Sequence, residues 1–276
     1  MPGILFGSSG IPHSAEGGDT LAGIRALKKL GLDAMELSFT HGVHLSQAGA
    51  KAVRKAAEEA GIKLSIHGPY YINLFALEKE KVAASKQRIW SCLGVGETAG
   101  CDYVCFHPAY YMKAEPKTVY AQVRDILAEM IAGLKEKKMG IRLAPETTGR
   151  ATQFGSLEET LALGRELKEL LPVFDFCHLH ARENGKFKSK QDVVKVFEQI
   201  EAADKRFLKD FRMQVSGVKY SEKGERAHLP LADSDFPYKW LLECLKEFKV
   251  QGVIICESPQ LEFDAMVMRD YYKSLP

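Results

Sequence analysis

The chain is short of several features that would fix its class at once. No two of its six cysteines stand at the CxxC spacing; they fall singly at 92, 101, 105, 177, 244 and 256, several of them inside apolar runs. That excludes a small disulfide scaffold and predicts reduced, buried thiols in a cytoplasmic protein. No stretch approaches the roughly 18 apolar residues of a membrane span. The opening MPGILFGSSGIPHS has neither the charged segment nor the long apolar run of a signal peptide, so none is expected. Neither sign of charge dominates: 38 Lys and Arg face 36 Asp and Glu, a formal charge of +2. Nucleic acid could therefore be held only by a local basic patch, not by bulk charge.

What is present is an ordinary soluble composition, 46% hydrophobic and 27% charged in 276 residues. A chain of this size buries a core without help from disulfides or metals. Short apolar runs recur to the end: ILFGSS (4–9), AMELSF (34–39), KLSIHG (63–68), YVCFHP (103–108), GIRLAPET (140–147), VFDFCHLHA (173–181), FRMQVSGV (211–218) and GVIICES (252–258). Segments of helical period lie between them. Ser46 and Ser156 are candidate N-caps, Glu159 completes a capping box with Ser156, and Gly31 and Gly61 fit helix C-termini. Strand and helix signals alternating at this spacing predict a parallel sheet with covering helices. An open doubly wound sheet would normally show GxGxxG after its first strand, and GSSGIP is not that. The expectation is an α/β single-domain (β/α)8 TIM barrel over residues 1–276.

Such barrels carry chemistry at the carboxyl ends of their strands. His67, His107, Glu146, Asp175 with His178, Gln214 and Glu257 follow that rule, His228 is expected in the loop after the strand of Gln214, and His180 lies two residues beyond His178. Any one of them has a bland reading as a satisfied core histidine, a cap or an ion-pair partner. Together, in apolar runs where an unpaired charge is costly, they predict a shared cation. Mixed imidazole and carboxylate sets suit Zn2+, with Mn2+ or Fe as alternatives, whereas Ca2+ and Mg2+ favour all-oxygen sites. So many ligands exceed the needs of one tetrahedral ion and predict two or three. On strand alternation Cys177 is expected to point away from the cluster.

HGPYYINL (67–74), FHP (106–108), ETTG (146–149), DFCH (175–178), the late His228 and ESP (257–259) occur in order, across essentially the whole chain. In that combination the sequence resembles the endonuclease IV family of apurinic/apyrimidinic endonucleases, xylose-isomerase-like barrels. The resemblance implies a trinuclear zinc site that hydrolyses the phosphodiester 5′ to an abasic (AP) nucleotide of double-stranded DNA, in base excision repair. His67 and His107 would bind the first ion, and Glu146 would bridge it to the second. Asp175 and Glu257 would bind the second, His178 and His228 the third. The catalytic pair is then Glu146, which sets the metal spacing, and Glu257. Tyr70 and Tyr71 match the residues that push into DNA at the lesion. Two positions depart from the family. Gln214 stands where the family has a histidine ligand. Arg226 stands where it has an aspartate, with Glu225 next to it as a substitute if the loop bends; Arg226 itself would meet a phosphate oxygen.

The basic candidates for DNA are Arg150, Arg182, Lys186, Lys188, Lys190, Lys219, Lys223 and Arg226, all following strand ends, with ARENGKFKSK (181–190) as the leading phosphate loop. Tyr110, Tyr111 and Tyr70 offer stacking surfaces, while His41 and His44 read as loop histidines. Glu146, Asp175, Gln214 and Glu257 also sit where a single-metal sugar isomerase or epimerase of the same barrel class holds its ion, which is the alternative. A catalytically weakened DNA-binding relative is the third. A monomer without membrane contact is expected.

Overall fold

Eight parallel strands form one sheet in the computed structural model, which describes residues 3–276. The elements are β1 (Ile4–Ser9), α1 (Thr20–Leu30), β2 (Ala34–Ser38), α2 (Gln47–Ala60), β3 (Lys63–His67), α3 (Lys79–Ala99), β4 (Tyr103–Phe106), β5 (Ala109–Tyr110), α4 (Pro116–Glu136), β6 (Arg142–Pro145), β7 (Gln153–Phe154), α5 (Leu157–Glu166), β8 (Val173–Asp175), α6 (Phe176–Arg182), α7 (Lys190–Ala203), β9 (Phe211–Val215), β10 (Gly217–Ser221), β11 (Gly224–Leu229), α8 (Tyr238–Glu247), β12 (Gly252–Cys256) and α9 (Glu262–Ser274). The strand order is β6-β4-β3-β2-β1-β12-β9-β8. A parallel bridge between Glu146 and Val173 joins the two end strands, and the Thr147 amide donates to the Val173 carbonyl at 3.0 Å. The sheet therefore curls into a nearly closed barrel, as expected. No helix among the described residues is long and apolar enough to cross a membrane.

Local sequence accounts for the frame. Ser46 accepts from the Gly49 amide at 3.1 Å, and Ser156 and Glu159 form a reciprocal capping box. Each such cap contributes about 1 kcal/mol. Gly31 and Gly61 end α1 and α2 in the left-handed region, at φ 68° and 70°. Along each strand, alternation sends one set of side chains outward and the other to the barrel axis. Phe6, Met35, Ile66, Leu143, Met213 and Ile254 join the core beneath the helices. Tyr103, Cys105, Ala144, Leu171 and Val173 pack as a separate interior cluster.

Two expectations are corrected. The apolar run 173–181 is strand only to Asp175; α6 begins at Phe176 because the Asp175 carboxylate accepts from the His178 amide at 2.7 Å and caps the helix. That removes the alternation argument for Cys177. His228 lies not in a loop but on β11, which pairs antiparallel with β10 as a hairpin over the barrel mouth.

Candidate metal centre

Glu146 is the hub of the mouth. It follows β6, is fully buried, and offers two oxygens to three imidazoles. His67 Nε2, at the end of β3, lies 3.2 Å from Oε2. His107 Nε2, just after β4, lies 3.3 Å from Oε1, and His178 Nδ1, in α6, lies 2.8 Å from the same oxygen. His178 Nδ1 is also 2.9 Å from the Thr147 carbonyl and 3.7 Å from Asp175 Oδ2. Four separate strand ends thus meet at one carboxylate.

The hairpin supplies the next pair. Across the hairpin, Tyr220 of β10 faces Glu225 of β11 and Lys219 faces Ala227, so Arg226 is the extra residue of a bulge. The bulge turns Glu225 and His228 to the same side. Glu225 Oε2 lies 3.3 Å from His178 Nε2, and Oε1 lies 3.4 Å from His228 Nε2. Arg226 stays exposed. Gly149 of ETTG makes room: a Cβ there would stand 2.7 Å from the Glu225 Cβ. The Gly149 carbonyl accepts from the Glu225 amide at 2.9 Å, and Arg150 Nε donates to the Glu225 carbonyl at 3.1 Å.

Two residues that the sequence reading passed over lie beneath. Glu36, in the middle of β2, is fully buried and accepts from Gln214 Nε2 at 3.1 Å and from Ser9 Oγ at 3.2 Å. Gln214 Nε2 also donates to Glu257 Oε1 at 3.1 Å. Its amide therefore ties two acids together, and its carbonyl oxygen faces the Cys105 thiol at 3.6 Å. Cys105 Sγ is 3.2 Å from Glu146 Oε2. The signal for both was available: each lies in step with the inward face of its strand, Glu36 flanked by Met35 and Leu37.

Burial and mutual charge shape the titration of these groups. Burial alone would depress His67, but the carboxylates of Glu146, Glu257 and Glu36 outweigh it and push the imidazole up to about 10. Burial likewise opposes the shift of His178, which Asp175, Glu225 and Glu146 carry well above its ordinary value. Against the pull of burial, His178, His228 and His107 hold Glu225 down at about 2. Burial raises Glu257, Glu36 and Asp175. Five acids (Glu36, Glu146, Asp175, Glu225, Glu257) face four imidazoles (His67, His107, His178, His228), so acids outnumber imidazoles in the cluster. Among the described residues none of these acids pairs with a lysine or arginine; where they have a charged partner it is histidine.

The residues fit a divalent cation. Glu146 Oε1, Asp175 Oδ2 and His228 Nε2 are buried without a hydrogen-bond partner, although such atoms are normally satisfied. Three sets each bring one potential ligand atom per residue within 4.8 Å of one another: His67, Cys105 and Glu146; His107, Glu146 and His178; Cys177, His178 and His228. Cys177 therefore turns toward the cluster rather than away, because it stands on a helix and not on a strand.

The rim is divided. Tyr70 is 56% exposed and stands over the cluster, its ring centroid 5.8 Å from that of His67 and 6.5 Å from those of His107 and His41. Tyr71 is also exposed but carries Arg88 over its ring at 6.0 Å. Arg182 donates to the Gln153 carbonyl at 2.9 Å and to Thr148 Oγ1 at 3.1 Å, pinning the loop after β6. Lys186 pairs with Glu183, and Lys190 pairs with Glu243 and Glu247 at 2.8 and 2.6 Å. Tyr111 donates to Glu159 at 2.9 Å, while Tyr110 is half-buried. His180 is buried away from the cluster against Asp235 at 3.3 Å. Arg150, Lys188, Lys219, Lys223 and Arg226 remain exposed, the last three on the hairpin; His44 is an exposed loop residue.

The profile of the xylose isomerase-like TIM barrel family matches residues 24–274. An uncharacterized protein of Methanocaldococcus jannaschii is 40% identical over 273 residues, covering 99% of this chain and 98% of that one. Among solved structures, endonuclease IV from Thermus thermophilus superposes with a TM-score of 0.72 at 20% identity, over 97% of this chain and 100% of that chain. A D-tagatose 3-epimerase-like protein gives 0.72 at 17% identity, over 96% of each. An AP endonuclease of family 2 from Brucella melitensis gives 0.66 at 12%, over 94% and 93%. At these identities the structural likeness establishes the fold.

Proposed function

The chain belongs to the xylose isomerase-like TIM barrel family, and on that premise we propose that its mouth is a multinuclear metal centre, of zinc above all, that hydrolyses the DNA phosphodiester 5′ to an abasic nucleotide. The observation that carries this reading is the gathering of three imidazoles within 3.3 Å of the two Glu146 oxygens, with a further Glu225–His228 pair alongside. One ion in a sugar isomerase needs no such surplus of histidine.

Glu146 sets the spacing of the centre, since each of its oxygens serves a different imidazole set. Glu257 is held by the Gln214 amide, and Asp175 keeps one buried oxygen without a hydrogen-bond partner. Gln214 acts here as the tie between Glu257 and Glu36. His178, Glu225 and His228 close the hairpin side, where Glu225 takes the part that Arg226 cannot. Bound divalent ions supply Lewis acidity, lowering the pKa of water toward neutrality and offsetting charge on the phosphate.

Tyr70, projecting over the cluster, is placed to replace stacking lost at an abasic site. The phosphate backbone would meet the hairpin: Lys219, Lys223 and Arg226 are exposed there, next to Arg150 and Lys188. Arg182, Lys186 and Lys190 are engaged within the protein and contribute less. The sugar-enzyme alternative draws on the epimerase neighbours and on Glu146, Asp175, Gln214 and Glu257.

Elemental analysis together with cleavage of an abasic duplex separates the readings. Two or more ions with a nick 5′ to the lesion is the expected result. One ion without nicking favours the sugar enzyme, and no ion favours an inactive relative.

A further inference from the structure

The two oxygens of Glu146 face different company. Oε2 lies 3.2 Å from His67 Nε2 and 3.2 Å from the Cys105 thiol. Oε1 faces His107 and His178 instead, and lacks a hydrogen-bond partner although it is fully buried. The endonuclease resemblance would pair His67 with His107; the geometry divides them. On the Oε2 side the nearest third donor is sulfur.

Cys105 is fully buried and lies on the inward face of β4, two residues before His107. Gln214 Oε1 approaches the thiol from the far side at 3.6 Å. The Gln214 amide is fixed in that sense because its Nε2 donates to both Glu36 and Glu257. A tetrahedral zinc ion has Zn–N and Zn–O bonds of about 2.0–2.1 Å and Zn–S bonds of about 2.3 Å, which place neighbouring ligand atoms about 3.3–3.6 Å apart. The His67–Glu146 and Cys105–Glu146 separations of 3.2 Å and the Cys105–Gln214 separation of 3.6 Å lie close to that spacing.

We propose that Cys105 is a metal ligand, forming with His67 and Glu146 Oε2 a deep sulfur-containing site whose fourth position faces Gln214 Oε1. The proposal rests on the metal-centre reading above and gives one of its sites a chemical character. Coordination replaces the S–H bond with a sulfur–metal bond, and the proton leaves to solvent. A thiolate favours zinc or iron over magnesium or manganese, so the deep site would select the softer ions.

Cobalt(II) loading tests this without reference to activity. The unsubstituted protein should show sulfur-to-cobalt charge-transfer absorption in the near ultraviolet. Cys105→Ser should lose that band, while Cys177→Ser keeps it. X-ray absorption at the zinc edge of the unsubstituted and Cys177→Ser proteins should show a scattering shell at about 2.3 Å in both, a readout that does not depend on the folding of the Cys105 variant. Bound cobalt with no charge-transfer band, or a band and a sulfur shell lost only with Cys177, overturns the proposal and leaves the metal centre standing. Failure of the unsubstituted protein to retain cobalt or zinc removes the metal centre itself, and this proposal with it.

Discussion

The barrel has a polar cluster at each end, and the two are built on opposite principles. At the floor, Arg212 lies over the Tyr103 ring at 5.5 Å and pairs with Asp210 at 2.8 Å, while Arg142 reaches the same aspartate at 2.6 Å. Cation and anion alternate there, and only Arg212 Nε lacks a partner. At the mouth, acids outnumber imidazoles, and Glu146 Oε1, Asp175 Oδ2 and His228 Nε2 are buried without a hydrogen-bond partner. The floor supplies its own counter-charges; on the proposed reading, the mouth is completed by a cation from outside. Burying charge is costly either way, so an arrangement that leaves it uncompensated points to a ligand.

Substitutions at the two ends should therefore part company. Glu146→Ala should lower nicking by more than about a hundredfold and reduce the metal count, because it removes the carboxylate shared by both ligand sets. Unchanged cleavage or metal content would erase the distinction between the ends. Arg212→Ala should do the reverse. We expect a loss of about 1–3 kcal/mol in denaturant stability with the metal content intact, since Asp210 loses one of its two arginine partners and Tyr103 loses the guanidinium over its ring.

A pH series sharpens the contrast. In metal-free protein, the folded pKa of His67 stands above its unfolded value of about 6.5. Its contribution to stability is complete below that value and is lost as pH climbs through about 10. Zinc, which requires neutral imidazole, should flatten that alkaline slope, as denaturant midpoints measured with and without zinc would reveal.

Smaller effects are expected at the rim. Tyr70→Ala should weaken binding to an abasic duplex by about 1–3 kcal/mol, and Tyr71→Ala by less, because Tyr71 is turned to Arg88. Equal losses would argue against Tyr70 as the residue at the lesion. Arg226→Ala on the hairpin should weaken DNA binding uniformly across sequences and lower the salt-dependence slope by about 1; an unchanged slope would remove Arg226 from the phosphate contacts.

Much of this frame is written in local signals. The alternation of runs with capped helices points to the barrel, and the polar residues at strand ends mark its mouth. What escapes notice depends on backbone detail. The helix at Phe176 hides because a cap carboxylate looks like one more polar strand residue. Glu225 becomes a neighbour of His228 only through a one-residue bulge, which changes which side chains share a face and leaves no mark in composition. The lysines of 181–190 read as free cations until the folded chain pairs Lys186 with Glu183 and Lys190 with α8. Cys105 and Glu36 were within reach, since period-2 counting from His107 and along β2 turns both inward.

The most direct test of the account is an anomalous-scattering map at the zinc edge, from crystals grown with zinc. At least two strong peaks are expected within bonding distance of the Glu146 carboxylate, one on each oxygen, and none at the Arg212 cluster. A map without peaks at the mouth, with Glu146 joined only to histidine and water, would contradict it.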